Sequence, residues 1–100
     1  MRSLEIRRIL DEGRSSHGNR VVVFLAPGPE RLAVVAGRRV GGAVERNRAR
    51  RVLRAAWPQV AALAPGSDAV LVARAAIRTA TTQDLVSEMT NLLTSRNENR

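Results

Sequence analysis

Three short apolar runs constrain this chain most: Arg20–Ala26 (RVVVFLA), Leu32–Ala36 (LAVVA) and Asp68–Arg74 (DAVLVAR). The first is β-branched and continuous, as expected of a buried strand. Pro27-Gly28-Pro29-Glu30 is a turn that pairs the first two runs as a hairpin. Pro65-Gly66-Ser67 turns the chain into the third. The longest apolar stretches, Val21–Pro27 and Ala69–Ala73, are far too short to span a bilayer.

Helical patterns flank these strands. Ser3–Glu12 carries a rough apolar stripe of Leu4, Ile6, Ile9 and Leu10, with Gly13 as its stop. Arg14–Asn19 reads as a polar loop. A second helix runs from about Ala43 to Trp57, where Pro58 interrupts it, and Pro58–Leu63 makes a further turn. Thr81 or Thr82 caps a final helix, TTQDLVSEMTNLLTS, with Asp84 near its positive end. Its apolar face is Leu85, Met89, Leu92 and Leu93, and Asn97–Arg100 is expected to fray. The order α-β-β-(β)-α-β-α predicts an α/β (α+β) two-layer sandwich, with a single mixed sheet of about four strands and three helices. One hundred residues suffice for one domain over 1–100 and leave no room for a second.

Charge sets the class of partner. The chain has 17 basic and 9 acidic residues, a net +8. Seven Arg and one acid, Glu45, fall between Arg38 and Arg54, a net +6; the remainder carries only +2. A local excess of this kind marks a binding face for a polyanion. Every basic residue is Arg, which grips phosphate through two parallel hydrogen bonds and stacks on bases; a GC-rich genome also accounts for missing Lys, but not for the clustering. With no cysteine, disulfides and thiolate metal sites are excluded, in keeping with a reducing cytoplasm. Met1–Leu10 is charged throughout and does not resemble a signal peptide.

At about 100° per residue, Ala49, Val52, Leu53, Ala55 and Ala56 gather on one side of the second helix, and Asn47, Arg50, Arg51 and Arg54 on the other. Arg48 falls within the apolar arc, so it either escapes at the helix end or reaches past the sheet edge to meet something. The ridge arginines have no i, i+4 acids, and phosphates would relieve their mutual repulsion. Two readings fit Gly41-Gly42: N–H groups open to a phosphate, or an ordinary positive-φ turn.

Other chemistry is thin. His17, the only histidine, sits in the polar loop; Asp11-Glu12 closes a helix facing solvent; Asp68 reads as a turn residue. No nucleophile–base constellation and no metal-ligand spacing appears, so no catalytic residue and no protein metal site is assigned.

The stretch RRVGGAVERNRARRVLRAAW, Arg38–Trp57, resembles the signature of the bacterial ribonuclease P protein component. A basic pair leads to a Gly-containing turn, Ala-Val, then Arg46-Asn47-Arg48, with Arg50, Arg51 and Arg54 at the basic positions after it. The opening helix, the Asn19-Arg20 step and the DAVLVAR strand are similar in order. The resemblance implies a ribosomal-protein-like fold with a left-handed βαβ crossover. It implies RNA binding through Arg38, Arg39, Arg46, Asn47, Arg48, Arg50, Arg51 and Arg54, and a cleft for the 5′ leader of precursor tRNA at Ile6, Leu10, Val22, Phe24 and Leu25. It further implies an accessory subunit of an endoribonuclease whose RNA is the catalyst and is served by Mg²⁺, with one protein per RNA and no membrane partner. Family members usually carry aromatic residues in the cleft; here only Phe24 and Trp57 are aromatic, so base stacking there is reduced. The competing reading is a non-enzymatic, ribosome-associated RNA binder of the same fold. A DNA-binding helix module lacks the partner helix or dimer face it needs.

Overall fold

Val21, Val22 and Val23 are all buried. Side chains along a strand alternate between faces, so three buried residues in a row require cover on both sides. The structure, a computed structural model that describes residues 1–98, supplies it. The strands are β1 (Arg14–His17), β2 (Val21–Pro27), β3 (Leu32–Val35) and β4 (Ser67–Ala73); the helices are α1 (Ser3–Glu12), α2 (Ala43–Ala56) and α3 (Thr82–Glu98). Short 3₁₀ turns occupy Trp57–Gln59, Ala61–Leu63 and Ala75–Thr79. The sheet order is β1-β2-β4-β3. β1 and β4 flank β2 antiparallel, while β3 runs parallel to β4. Three helices on a four-stranded mixed sheet make this an α+β fold, as expected.

One face of the sheet carries Val21, Val23, Ala69, Leu71 and Ala73, which join Ala49, Leu53 and Ala56 of α2 and Leu85, Met89 and Leu93 of α3 in the main core. Each fully buried Val, Leu or Met side chain there contributes about 1.5–3 kcal/mol. Val22 and Val70 are buried outside that core. On their side α1 packs against β2 and β4, with Ile9 as its one buried residue. At the starts of α1 and α2, Glu5 and Glu45 accept from the N-cap N–H groups of Arg2 and Gly42. Thr81 and Asp84 exchange backbone-to-side-chain hydrogen bonds (2.9 and 3.1 Å) at the head of α3, so Thr81 is the cap.

Several expectations are corrected. The hairpin between the first two apolar runs does not form: β4 lies between β2 and β3 and bonds to both. β4 is the most buried strand, whereas β3 is half-exposed along its whole length, so the more apolar run takes the centre. Arg14–His17 is a strand, not a loop; it is a polar edge strand whose only buried residue is Ser16. His17 therefore ends β1 and is exposed. Asp68 lies within β4, 1 % exposed, rather than in a turn. Ala55 faces solvent, because the buried stripe of α2 is the narrower set Ala49, Leu53 and Ala56. Asn97 and Glu98 belong to α3, and the rest of the segment expected to fray, 99–100, lies outside the described residues.

Candidate nucleic-acid interface

A tight turn sets the arginine stretch in place. The Val40 N–H donates to Gly37 O and the Gly41 N–H to Arg38 O, both at 3.1 Å. Val40 is buried in the main core, which turns Arg38 and Arg39 outward, both exposed. Gly41 has φ 141°, a left-handed backbone that a side chain would strain. The turn reading of this glycine is therefore the one the backbone requires.

Gly42 is the N-cap of α2, and its N–H donates to Glu45 Oε1 at 2.9 Å. The single acid of the stretch is thus spent on the helix start, where the dipole favours a negative charge. Among the described residues only Arg20 and Arg31 form salt bridges. The seven arginines from Arg38 to Arg54 have no carboxylate partner among the described residues, so their field projects into solvent.

Along α2, Asn47, Arg51 and Arg54 are exposed, while Arg46 and Arg50 are half-buried. The Arg50 guanidinium donates to Asn47 Oδ1, which steadies that part of the ridge. Arg48 behaves differently. It crosses to the 3₁₀ turn Ala75–Thr79 and donates to Ala80 O at 2.6 Å, Ile77 O at 3.4 Å and Arg78 O at 3.5 Å. Of the two fates open to this residue, it is the second: it meets main-chain carbonyls of the segment beyond β4.

The residues expected to form the cleft are only partly brought together. Val22 and Phe24 lie on the α1 side of the sheet. Ile6 and Leu10 of α1 are half-buried and line a groove of about 480 Å³ with Ser3, Leu4, Arg7 and Asp11. Leu25 is on the other face, packed against the main core. Neighbours in a strand point oppositely, so Phe24 and Leu25 cannot share a cleft.

Sequence reasoning missed what holds α1 over this face. Arg31 donates to the buried Asp68 carboxylate from its main chain (2.8 Å), from Nε (3.4 Å) and from a terminal nitrogen (2.8 Å), and its other terminal nitrogen meets Glu5 of α1. Arg31 holds the Asp68 carboxyl below the usual range, and Asp68 in turn pushes the guanidinium further up. Glu5 is lowered too, first by the Arg2 N–H and then by Arg31. The signal was present: an Asp next to the apolar run Ala69–Ala73 of a buried strand needs a cation or a set of donors. Glu88 of α3 similarly accepts from the N–H groups of Arg20 and Val21 (2.9 and 3.2 Å) and from the Arg20 guanidinium (3.3 Å), tying the β1–β2 turn to the helix layer.

Comparison with known proteins places this arrangement. The family model Ribonuclease P matches residues 1–96. The ribonuclease P protein component of Acidothermus cellulolyticus is 37 % identical over 99 residues, covering 92 % of this chain and 82 % of that protein. The corresponding protein of Dehalococcoides mccartyi is 34 % identical over 92 residues, covering 89 % and 76 %. Among solved structures, the Staphylococcus aureus RNase P protein superposes with a TM-score of 0.79 at 20 % identity, covering 96 % of this chain and 92 % of that one. The Thermotoga maritima RNase P protein gives 0.75 at 24 % identity, covering 94 % and 91 %. Sequence and fold agree over nearly the whole length, and the chain belongs to the bacterial ribonuclease P protein family.

Proposed function

We propose that this chain acts as the protein subunit of a bacterial ribonuclease P, binding the ribonuclease P RNA through the turn at Arg38-Arg39 and the solvent side of α2. The observation that carries this is the row of arginines without carboxylate partners on a well-anchored helix. Phosphates would neutralise that row and release their own counterions on binding. In the same proposal the protein helps hold precursor tRNA. Its 5′ leader lies on the α1 side of the sheet, against Val22, Phe24, Ile6 and Leu10. The product is the mature tRNA 5′ end.

The hydrolytic step is assigned to the RNA, and Mg²⁺ is assigned to the RNA active site. Among the described residues no three His, Cys, Asp or Glu gather where they could hold a metal ion. Glu5 and Asp68, which meet through Arg31, are both engaged by that guanidinium. The protein's part is electrostatic: positive charge beside two polyanions lowers their repulsion and the Mg²⁺ concentration needed to bring them together. One protein per RNA and a cytoplasmic setting complete the proposal. No helix among the described residues is long and apolar enough to cross a membrane.

Reconstitution with a bacterial ribonuclease P RNA at low Mg²⁺ tests it. Leader cleavage should be faster with the protein than without. Equal rates overturn the proposal, and capture of ribosomal RNA alone from cell extract would favour a ribosome-associated binder instead.

A further inference from the structure

We propose that Arg48 is a positioning residue rather than a phosphate ligand, and that the 3₁₀ turn it clamps, Ala75–Thr79, adds Arg78 to the RNA-binding surface. This rests on the ribonuclease P RNA reading above and extends it to a segment outside the arginine stretch.

Three of the Arg48 donor contacts go to carbonyls at positions 77, 78 and 80. These carbonyls take three of the five guanidinium N–H groups and hold the side chain against the turn, away from the solvent ridge of α2. Ile77 O already accepts from the Ala80 N–H at 3.0 Å, and Arg48 adds a second donor there and a short bond to Ala80 O just beyond the turn, closing its end. Ile77, fully buried in the main core, anchors the turn from below. Ala75, Ala76, Arg78 and Thr79 are exposed above it. Arg78 has no salt-bridge partner among the described residues.

Between this turn and the start of α2 lies a groove of about 570 Å³ lined by Val44, Glu45, Arg48, Ala75, Ala76, Arg78 and Thr79. Val44, an apolar side chain 77 % exposed, stands at the edge of this groove. Its floor of small apolar groups suits the face of a nucleobase, and Arg78 supplies the charge for the adjoining phosphate. The one acid in the groove, Glu45, is bound to the Gly42 N–H. At about 100° per residue, Val44, Arg48 and Arg51 share one flank of α2, and Arg46 and Arg50 the other. Arg51, exposed, therefore links the groove to the ridge. Charge complementarity and continuity with the ridge both point to RNA as the occupant.

The test is equilibrium binding of a transcribed bacterial ribonuclease P RNA to the full chain over a range of salt, with Arg78→Ala, Arg78→Lys, Arg48→Ala, Arg48→Lys, the double variant and Arg50→Ala. Arg78→Ala should keep the wild-type melting temperature. It should weaken binding about two- to fivefold and lower the salt slope by about 0.7–1, while Arg78→Lys keeps the slope. Arg48→Ala should lose the same slope at temperatures where it is fully folded. Arg48→Lys should not rescue it, since one ammonium cannot span three carbonyls. Adding Arg78→Ala to Arg48→Ala should change nothing further. A purely structural Arg48 would lower the melting temperature and leave the slope intact, which overturns its positioning role. Wild-type affinity and slope for Arg78→Ala, while Arg50→Ala loses both, overturn the added surface and leave the proposed function standing. A wild-type chain that does not bind the RNA overturns both. If Arg48→Ala does not fold, the Arg78 variants decide.

Discussion

Arg31 holds the Asp68 carboxylate from two directions, its main-chain N–H on one oxygen and a terminal guanidinium nitrogen on the other, each at 2.8 Å. With Glu5 on the far side of the guanidinium, the three residues form a strut between α1, the start of β3 and the start of β4. Asp68→Ala is expected to cost about 2–3 kcal/mol in urea unfolding. That is below the usual cost of about 3–5 kcal/mol for breaking a buried pair, because the orphaned Arg31 can turn to water.

Acid sensitivity follows from the same strut. Asp68 is lowered by Arg31, Glu5 by the Arg2 N–H and then Arg31, and Asp84 by the Thr81 N–H and hydroxyl. A carboxyl whose folded pKa lies below its unfolded one stabilises the fold above the unfolded value and loses that contribution as pH falls through the folded value. The urea midpoint should be level near neutrality and drop as pH falls below the ordinary values of 4.5 and 3.8. The drop should be smaller in Asp68→Asn, measured by unfolding across pH 2.5–7 (an assay range of about that width).

Gly28 lies against the same carboxylate. A Cβ built there would come to 2.2 Å from Asp68 Oδ2, and Asp68 is too short and too firmly bound to give way. Gly28→Ala should destabilise by about 1–3 kcal/mol. Combined with Asp68→Ala, its effect should be less than additive by urea titration.

Ser16 offers the opposite sign. Its hydroxyl is buried on the core side of the edge strand with no hydrogen-bond partner among the described residues. Ser16→Ala removes an unsatisfied polar atom without opening a large void. A melting temperature equal to or above wild type is expected, a gain of up to about 1 kcal/mol.

Arg46→Ala with Arg50→Ala should weaken RNA binding and flatten its salt dependence, with a slope lower by about 1.4–1.8 for two lost phosphate contacts. An unchanged slope would move the phosphate contacts off this part of α2.

Periodicity made the helices legible. α1 and α2 begin where the apolar stripe and the Gly pair placed them, and the α3 face of Leu85, Met89 and Leu93 is buried as expected. Strand pairing was not legible, because a turn sequence such as Pro27–Glu30 shows that the chain bends without showing which strand it meets. The run RSSH of β1 was lost for the reason edge strands often are: half of its backbone groups and most of its side chains face water, so it carries no apolar pattern. At the interface, the wheel separated Arg48 from the ridge without identifying its acceptors, since those belong to main chain some thirty residues away. The strut stayed hidden because Glu5, Arg31 and Asp68 meet only in the folded sheet.

The position of β4 between β2 and β3 has a consequence for synthesis on the ribosome. A nascent chain ending before Ser67 already contains the arginine helix but not the strand that joins the two halves of the sheet. β2 and β3 then have no shared partner, and the α2 layer has only half a floor to pack on. Sheet closure must wait for roughly the last third of translation, and long-range pairing of this kind is slow. The helix that faces RNA is made early and gains its orientation late.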